Sequence, residues 1–164
     1  MQLIRSKTDR RTKGFTFIEL LIVILIIGIL SGVVMPNLKV THSNFKLDSF
    51  AKDIYYLTKY MQVSAISYSR IYRLDIAQEQ GDNAVFLAKY KNKNGEFIPV
   101  EKRFAKAYKL PQDTLISSTI PADRTSIFFY PDGSMDSTTI VFKNQFGKEI
   151  SLILKRTGTA IQIK

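Results

Sequence analysis

Cysteine and tryptophan are absent from the chain, and histidine occurs once. Without cysteine there is no disulfide framework, no thiolate zinc site and no thiol nucleophile. The single histidine, His42, has no second histidine, cysteine or serine–acid pair to act with, so we expect a solvated residue. The eight glycines are scattered and form no phosphate-binding loop. These absences predict a protein that is not an enzyme and has no catalytic residue, metal, cofactor or small-molecule substrate.

Acidic residues are scarce, with 14 against 24 lysines and arginines, which gives a formal net charge of +10. Part of this excess belongs to the segment that ends at Gly14, where five basic residues accompany one acid, Asp9. Loss of that segment would leave +6, a moderate charge that does not by itself indicate nucleic-acid binding. With 164 residues and 45% hydrophobic content, the chain can form one membrane segment and one modest domain.

Charge is rarest between Phe15 and Met35, where fifteen Leu, Ile, Val or Phe residues accompany a single charge, Glu19. Those fifteen contribute roughly −4.5 to −9 kcal/mol to membrane insertion. Glu19 lies near one end of the run, where an acid costs less than the roughly +3 kcal/mol expected at the bilayer centre. The pattern therefore predicts a transmembrane helix over residues 15–38, with the basic leader in the cytoplasm. A cleaved secretory signal fits poorly, because only Ser31 and Gly32 resemble its small-residue cleavage site.

The segment from Gly14 through Glu19 to Val23 resembles the processing motif of type IV prepilins and pseudopilins. The resemblance implies that a prepilin peptidase cuts between Gly14 and Phe15 and methylates the new amine of Phe15. It also implies that the helix stays in the bacterial inner membrane and joins other pilin or pseudopilin subunits in a filament. Pro36 lies where many of these helices have a proline that bends them. The predicted parts are a leader (1–14), an assembly helix (15–38) and an extracytoplasmic domain (39–164).

Glu19 is predicted to be an assembly residue. After cleavage, the amine of Phe15 is positive and Glu19 is negative, one helical turn along the chain. In a stack of staggered helices, Glu19 of one subunit can meet the amine of its neighbour. At ~4 Å and an effective dielectric constant of about 20, such a pair attracts by about 4 kcal/mol. An unpaired charge in apolar surroundings is unfavourable, so the pair would set the register of the subunits.

Beyond the membrane segment the sequence predicts an α+β fold, in which a long N-terminal helix packs against an antiparallel β domain. An apolar stripe with helical spacing runs along Leu47, Phe50, Ile54, Leu57, Met61, Ala65 and Tyr68. Ser43 or Asn44 is expected to cap a restart of this helix, which runs to about residue 70. Strands are expected at about 72–76, 85–91, 96–104, 126–130, 137–142, 149–154 and 159–163. Pro99 makes the third of these an edge or broken strand.

Two further segments resemble the GspH/FimT group of minor pseudopilins and minor pilins. These are Ala65 to Arg70 followed by a strand, and Phe129 to Ser134 with its Pro-Asp-Gly hairpin. The resemblance implies a minor pseudopilin-like subunit of a type II secretion pseudopilus or related type IV filament, acting at the tip or in initiation of assembly for protein secretion. The alternatives are a competence or adhesion pilin that binds DNA, and a single-pass anchored domain with no filament role.

Three weaker patterns complete the candidate sites. Asp132 and Asp136 offer oxygens to calcium but lack the ligand count of a strong site, so a simple turn is favoured. Gly28 and Gly32 have the spacing of a small-xxx-small helix contact. Basic and aromatic residues alternate around Tyr90 and again near Tyr108, an arrangement that can bind DNA through phosphates and stacking. The residues assigned to that DNA contact are Lys102, Arg103, Lys106 and Lys109.

Overall fold

The computed structural model describes residues 14–78, 84–101, 105–122, 125–156 and 158–163, without the side chains of residues 33–37, 78 and 158–163. The chain divides into two compact units between Lys39 and Val40. Helix α1 spans Phe17–Tyr68. The strands are β1 (Tyr72–Gln78), β2 (Ala84–Lys91), β3 (Phe97–Pro99), β4 (Tyr108–Lys109), β5 (Thr114–Ile120), β6 (Ser126–Phe129), β7 (Thr138–Asn144), β8 (Glu149–Lys155) and β9 (Gly158–Ile163). The predicted α+β class is confirmed.

Within these described residues, no helix combines the length and apolar character that a membrane crossing needs. Helix α1 is assigned without interruption through Pro36. The side chain of Pro36 lies outside the description, and the bend assigned to it stays a prediction.

The predicted restart of the helix at Ser43 or Asn44 is wrong. Helix α1 is continuous there, so no free backbone N–H groups need a cap. Ser43 is buried instead, and the side-chain oxygen of Asn44 accepts a hydrogen bond from the Asn144 amide at 2.7 Å.

The apolar stripe of α1 is the face that packs in the second unit. Leu47, Ile54 and Met61 have no exposed surface, and Phe50 and Leu57 are almost as buried. Tyr68 departs from the prediction, because its side chain is 55% exposed. It is the last helical residue, and the chain turns away from the helix at Ser69, whose φ is +49°.

The strand pairs among the described residues are all antiparallel and fall into two sheets. The first sheet has the order β3-β2-β1-β6, with β4 also paired to β2. The second sheet has the order β5-β7-β8-β9. Helix α1 and both sheets share one core, in which the rings of Phe50, Phe86 and Phe142 meet edge to face at centroid distances of 5.4 to 6.0 Å.

Two predicted turns have the backbone that their glycines indicate, since Gly95 and Gly133 both have positive φ. The turn expected at residues 80–83 lies outside the described residues. Strands β4 and β5 were not predicted, and the third expected strand is much shorter than 96–104, because it ends at Pro99. Proline is tolerated here because β3 is an edge strand, and the next N–H group, that of Val100, makes the bond to Ala88 at 3.0 Å.

The β7–β8 hairpin is tied to α1 by polar contacts. The Asn144 side-chain oxygen accepts the backbone N–H groups of Phe146 and Lys148, at 3.1 and 2.9 Å, and so shapes the turn. Its amide donates to Asn44 on α1, and the Lys148 ammonium donates to Asp48 one helical turn further on, at 2.7 Å. The β7–β8 hairpin is thereby fixed to the part of α1 that belongs to the second unit.

Candidate processing and assembly site

Gly14 and Phe15, the predicted cleavage residues, precede the first turn of α1 in irregular backbone. Thr16 is the N-cap of the helix: its Oγ1 accepts the backbone N–H of Glu19 at 3.3 Å, and its carbonyl accepts that of Leu20 at 3.2 Å. Phe15 is 78% exposed, and among the described residues beyond its own neighbours no atom lies within 4 Å of where a Cβ on Gly14 would be. The bond between Gly14 and Phe15 is therefore non-helical and open to an enzyme.

Glu19 is exposed and lies in the first turn of α1. Its carboxylate is close to the positive end of the helix dipole, a position that favours a negative charge. With Thr16 it forms the pair of residue types typical of a capping box, three positions apart. The helix thus has a defined beginning two residues after the predicted cleavage point. This places Glu19 at a fixed distance along the helix from the new N-terminus.

The described part of α1 in the first unit exposes its apolar side chains all round. Those exposed side chains include Phe17, Ile18, Leu20, Leu21, Ile22, Val23, Ile24, Leu25, Ile26, Ile27, Ile29 and Leu30. Gly28 and Gly32 also lie open, with nothing within 4 Å of an added Cβ. A contiguous apolar surface of this size is typical of a site that contacts lipid or another protein.

The four basic residues assigned to DNA contact do not form a described cluster. Lys102 and Arg103 lie outside the described residues. Lys106 is exposed, with its ammonium 5.9 Å from the centre of the Tyr108 ring, and Lys109 is exposed on β4. On β2, the ammonium of Lys89 lies 2.9 Å from the Asp75 carboxylate and is not available to a phosphate in this arrangement.

The Pro-Asp-Gly segment forms the predicted turn. Both the N–H and the hydroxyl of Ser134 donate to Asp132, and these bonds hold the pKa of Asp132 below its usual value. The Gly133 carbonyl accepts the Gln62 amide of α1 at 2.7 Å, which fixes the turn to the helix. Among the residues that the structure describes there is no group of three metal-ligating side chains. His42 is exposed, as expected.

Sequence reasoning missed a hollow of about 260 Å³ that is lined by Tyr60, Tyr68, Tyr72 and Tyr90. We call it the tyrosine hollow. These tyrosines come from α1, β1 and β2, and Tyr72 lies opposite Tyr90 in the β1–β2 ladder. The signal available in the sequence was the frequency of tyrosine near the end of the apolar stripe, but only the strand register brings Tyr90 to Tyr72.

Comparison with known proteins gives two findings. Residues 9–35 match the family model of the prokaryotic N-terminal methylation motif. The fold is similar to that of the minor pseudopilin EpsH from the Type 2 Secretion System of Vibrio cholerae, with a TM-score of 0.56 over 70% of this chain and 92% of that one. At 8% sequence identity, this likeness concerns the fold. No curated protein matches the chain.

The N-terminal methylation motif by itself indicates a general function. It implies processing by a prepilin peptidase and assembly with other pilin-type subunits. The methylation motif and the pseudopilin-like fold together support a pilin- or pseudopilin-type protein.

Proposed function

We propose that this chain is a minor pseudopilin-like subunit of a type II secretion pseudopilus or a related type IV filament, acting at the tip or in initiation of assembly. The observation that carries the proposal is the coincidence of a methylation motif over residues 9–35 with an exposed, capped, apolar helix start. The protein is a structural subunit and not an enzyme. Its role in secretion is to nucleate or complete the filament.

In this proposal the peptidase removes residues 1–14 and methylates the amine of Phe15. The apolar part of α1 then anchors the subunit in the inner membrane, with residues 39–164 on the far side. Insertion is supported by the roughly −4.5 to −9 kcal/mol of the fifteen apolar residues, which outweighs one acid near the helix end. The same apolar surface packs against neighbouring helices once the subunit enters a filament.

In this proposal Glu19 sets the register between neighbouring subunits of the filament. It lies in the first helical turn, and so does not compete with the packing of the apolar side chains further along. The neighbour's Phe15 amine neutralises it, at an attraction of about 4 kcal/mol for ~4 Å and an effective dielectric constant of about 20. Part of that is offset by the desolvation of both charges.

The test is the variant Glu19→Gln, which keeps the shape of the side chain and removes its charge. We expect incorporation into sheared or pelleted filaments to fall by tens to hundreds of times, in line with the loss of a few kcal/mol. The control is Glu96→Gln, another exposed glutamate, which should assemble normally. Incorporation is measured by immunoblot of filament and membrane fractions. Normal assembly of Glu19→Gln would remove the proposed role of this charge.

Cleavage is tested separately by N-terminal sequencing of the mature protein. We expect methylated Phe15 as the first residue. A mature chain that keeps residues 1–14 but still enters filaments would refute the processing step alone, since assembly is measured independently.

DNA capture by a competence pilin is the competing function. Its support is reduced by the ion pair of Lys89 with Asp75, which removes one of the alternating lysines beside Tyr90. A gel-shift series with the full chain in detergent distinguishes the two functions. Binding to DNA through several phosphates would weaken steeply with salt, with a log–log slope of several units.

A further inference from the structure

The tyrosine hollow is formed where α1 ends and the first sheet begins. The rings of Tyr72 and Tyr90 lie 5.9 Å apart at a tilt of 37°. The guanidinium of Arg70 lies 5.6 Å from the centre of the Tyr90 ring, a distance at which cation and ring attract each other. Arg70 also lines the hollow, so a cation stands at the rim of an aromatic site.

The two helical tyrosines face the same space. Burial raises the pKa of the Tyr72 hydroxyl, and the nearby hydroxyls of Tyr60 and Tyr68 raise it further. Tyr72 is nearly buried and forms the floor, whereas Tyr68 is 55% exposed and forms a wall. The hollow therefore presents several aromatic rings to one occupant.

A second hollow, of about 480 Å³, shares Tyr68 and Arg70 with the first. We call it the basic hollow, because Lys91 and Lys93 also line it. Both lysines are exposed, and neither forms an ion pair with any residue in the described ranges. In contrast, Lys89 on the same strand is held by Asp75. Three cations thus surround one opening beside the tyrosine hollow.

The backbone at the junction of the two hollows is strained. Ser69 has a φ of +49°, a conformation that favours glycine. It closes the helix by donating its N–H to Ile66, while Arg70 donates its own to Ala65. The strained turn fixes the direction in which Arg70 leaves the helix, between the tyrosines and the lysines. Strain of this kind is often found at binding sites.

The size of the tyrosine hollow decides what can enter it. At about 260 Å³ it is smaller than the ~300–1,000 Å³ typical of sites that enclose a small molecule. It matches one large side chain. Tyrosine and arginine around a concave site are also the residue types that dominate protein–protein hot spots. The adjoining cations require that the rest of the occupant be negative.

Glu101 argues against a nucleic-acid strand in the same place. This exposed acid lines the tyrosine hollow and needs a hydrogen-bond donor, which the sugar–phosphate backbone of DNA does not have. It can instead accept an N–H group of a peptide backbone.

We propose that the two hollows bind an acidic segment of a partner protein. One apolar or aromatic side chain of that segment fills the tyrosine hollow, and carboxylates next to it in sequence meet Arg70, Lys91 and Lys93. This site is distinct from the apolar surface of α1 in the first unit and does not depend on filament assembly.

The experiment is a peptide array probed with the purified full chain in detergent. Each peptide has one central Phe, Tyr, Leu or Ala, flanked by acidic, neutral or basic residues. We expect the strongest binding for an aromatic or leucine centre with acidic flanks. Binding should weaken when the central residue is alanine, and also when the flanks are neutral or basic. An oligothymidylate should not compete with the peptide. Equal binding of acidic and basic flanks, or displacement by oligothymidylate, would overturn the proposal.

Variants then locate the site on the chain, with affinities measured by fluorescence anisotropy of the best peptide. Arg70→Ala should weaken binding at least about tenfold, as expected of a central interface arginine. Lys93→Ala should weaken it about two- to fivefold, as expected of an exposed ion pair. The matched control is Lys52→Ala, because Lys52 is an exposed lysine elsewhere on α1. This variant should change the affinity less than twofold. Circular dichroism checks that each variant is folded. Equal effects of Lys93→Ala and Lys52→Ala would place the peptide elsewhere and refute the proposed site.

Discussion

Asp75 on β1 is the centre of a polar cluster on the first sheet, and its replacement by asparagine is expected to destabilise the second unit. Arg73 approaches both carboxylate oxygens, at 2.7 and 2.9 Å. The Lys89 ammonium lies 2.9 Å from one of them, and the Ser126 hydroxyl donates to the other at 2.9 Å. These groups come from β1, β2 and β6, so one carboxylate links three neighbouring strands.

The expected loss of unfolding free energy follows from how exposed the paired side chains are. The Asp75 side chain is 14% exposed and its two cationic partners are 25% exposed. Exposed ion pairs contribute about 0–1 kcal/mol, and loss of one partner of a buried pair costs about 3–5 kcal/mol. The cluster lies between these limits, so we expect Asp75→Asn to lower the free energy of unfolding by about 2 kcal/mol. Lys89→Met in a double-mutant cycle should show a coupling of about 1 kcal/mol with Asp75.

The assay is urea denaturation of the full chain in detergent, followed by far-UV circular dichroism. Glu149→Gln is the control. Glu149 is paired with Lys143 at the same 2.9 Å, but the two side chains are 35% and 43% exposed. Its loss should cost less than about 0.5 kcal/mol. If the two variants were equally destabilised, exposure could not be what determines the strength of these pairs, and the estimate would be refuted.

The pH dependence gives a second check on Asp75. Burial raises the pKa of this carboxyl group, but hydrogen bonds from Lys89, Ser126 and Arg73 outweigh burial and hold the pKa below its ordinary 3.8. A lowered carboxyl pKa stabilises the fold above the unfolded value, and this contribution is lost as the pH falls through the folded pKa. The stability difference between the wild type and Asp75→Asn should therefore be constant near neutral pH and shrink below about pH 4.

Two further predictions concern the backbone. Gly133 and Gly147 both have positive φ, but only at Gly133 would an added Cβ meet a side chain, the Ile66 Cδ1 at 3.2 Å. We expect Gly147→Ala to cost about 1 kcal/mol and Gly133→Ala about 2–3 kcal/mol, and equal losses in urea denaturation would show that the Ile66 contact is irrelevant. Ser69→Gly should raise the free energy of unfolding by about 0.5–1 kcal/mol, because glycine tolerates the left-handed turn; a lower thermal midpoint would contradict this explanation.

The helix and most strands could be predicted because their side-chain periods are clear. The apolar residues from Leu47 to Met61 repeat with the helical period, and β1 alternates between buried and half-buried residues as its sequence suggests. Strand β5 lacks such a pattern. Its residues are mostly exposed and include Ser117 and Ser118, with an irregular register at that point, so its pairing with β7 depends on tertiary contacts. Strand β4 has only two residues and carries no period.

The processing and assembly residues could be recognised from the sequence because they are consecutive. Gly14, Phe15 and Glu19 form one local pattern with the basic leader and the apolar run. The tyrosine hollow could not be recognised, because Tyr60 and Tyr90 are thirty positions apart and meet only through strand register. Likewise, nothing local in the sequence indicates that Lys89 is neutralised while Lys91 and Lys93 on the same stretch are not.

The contacts of Asn144 and Lys148 with α1 have a consequence for biogenesis. Each joins residues 100 positions apart, so the helical stripe gains its final support only after nearly the whole polypeptide has emerged from the ribosome. Until then, the apolar stripe of α1 lacks the strands that cover it and is a target for chaperones and proteases. A nonsense mutation that removed β7 and β8 would thus prevent the whole second unit from folding, and the cell would be expected to degrade the shortened product.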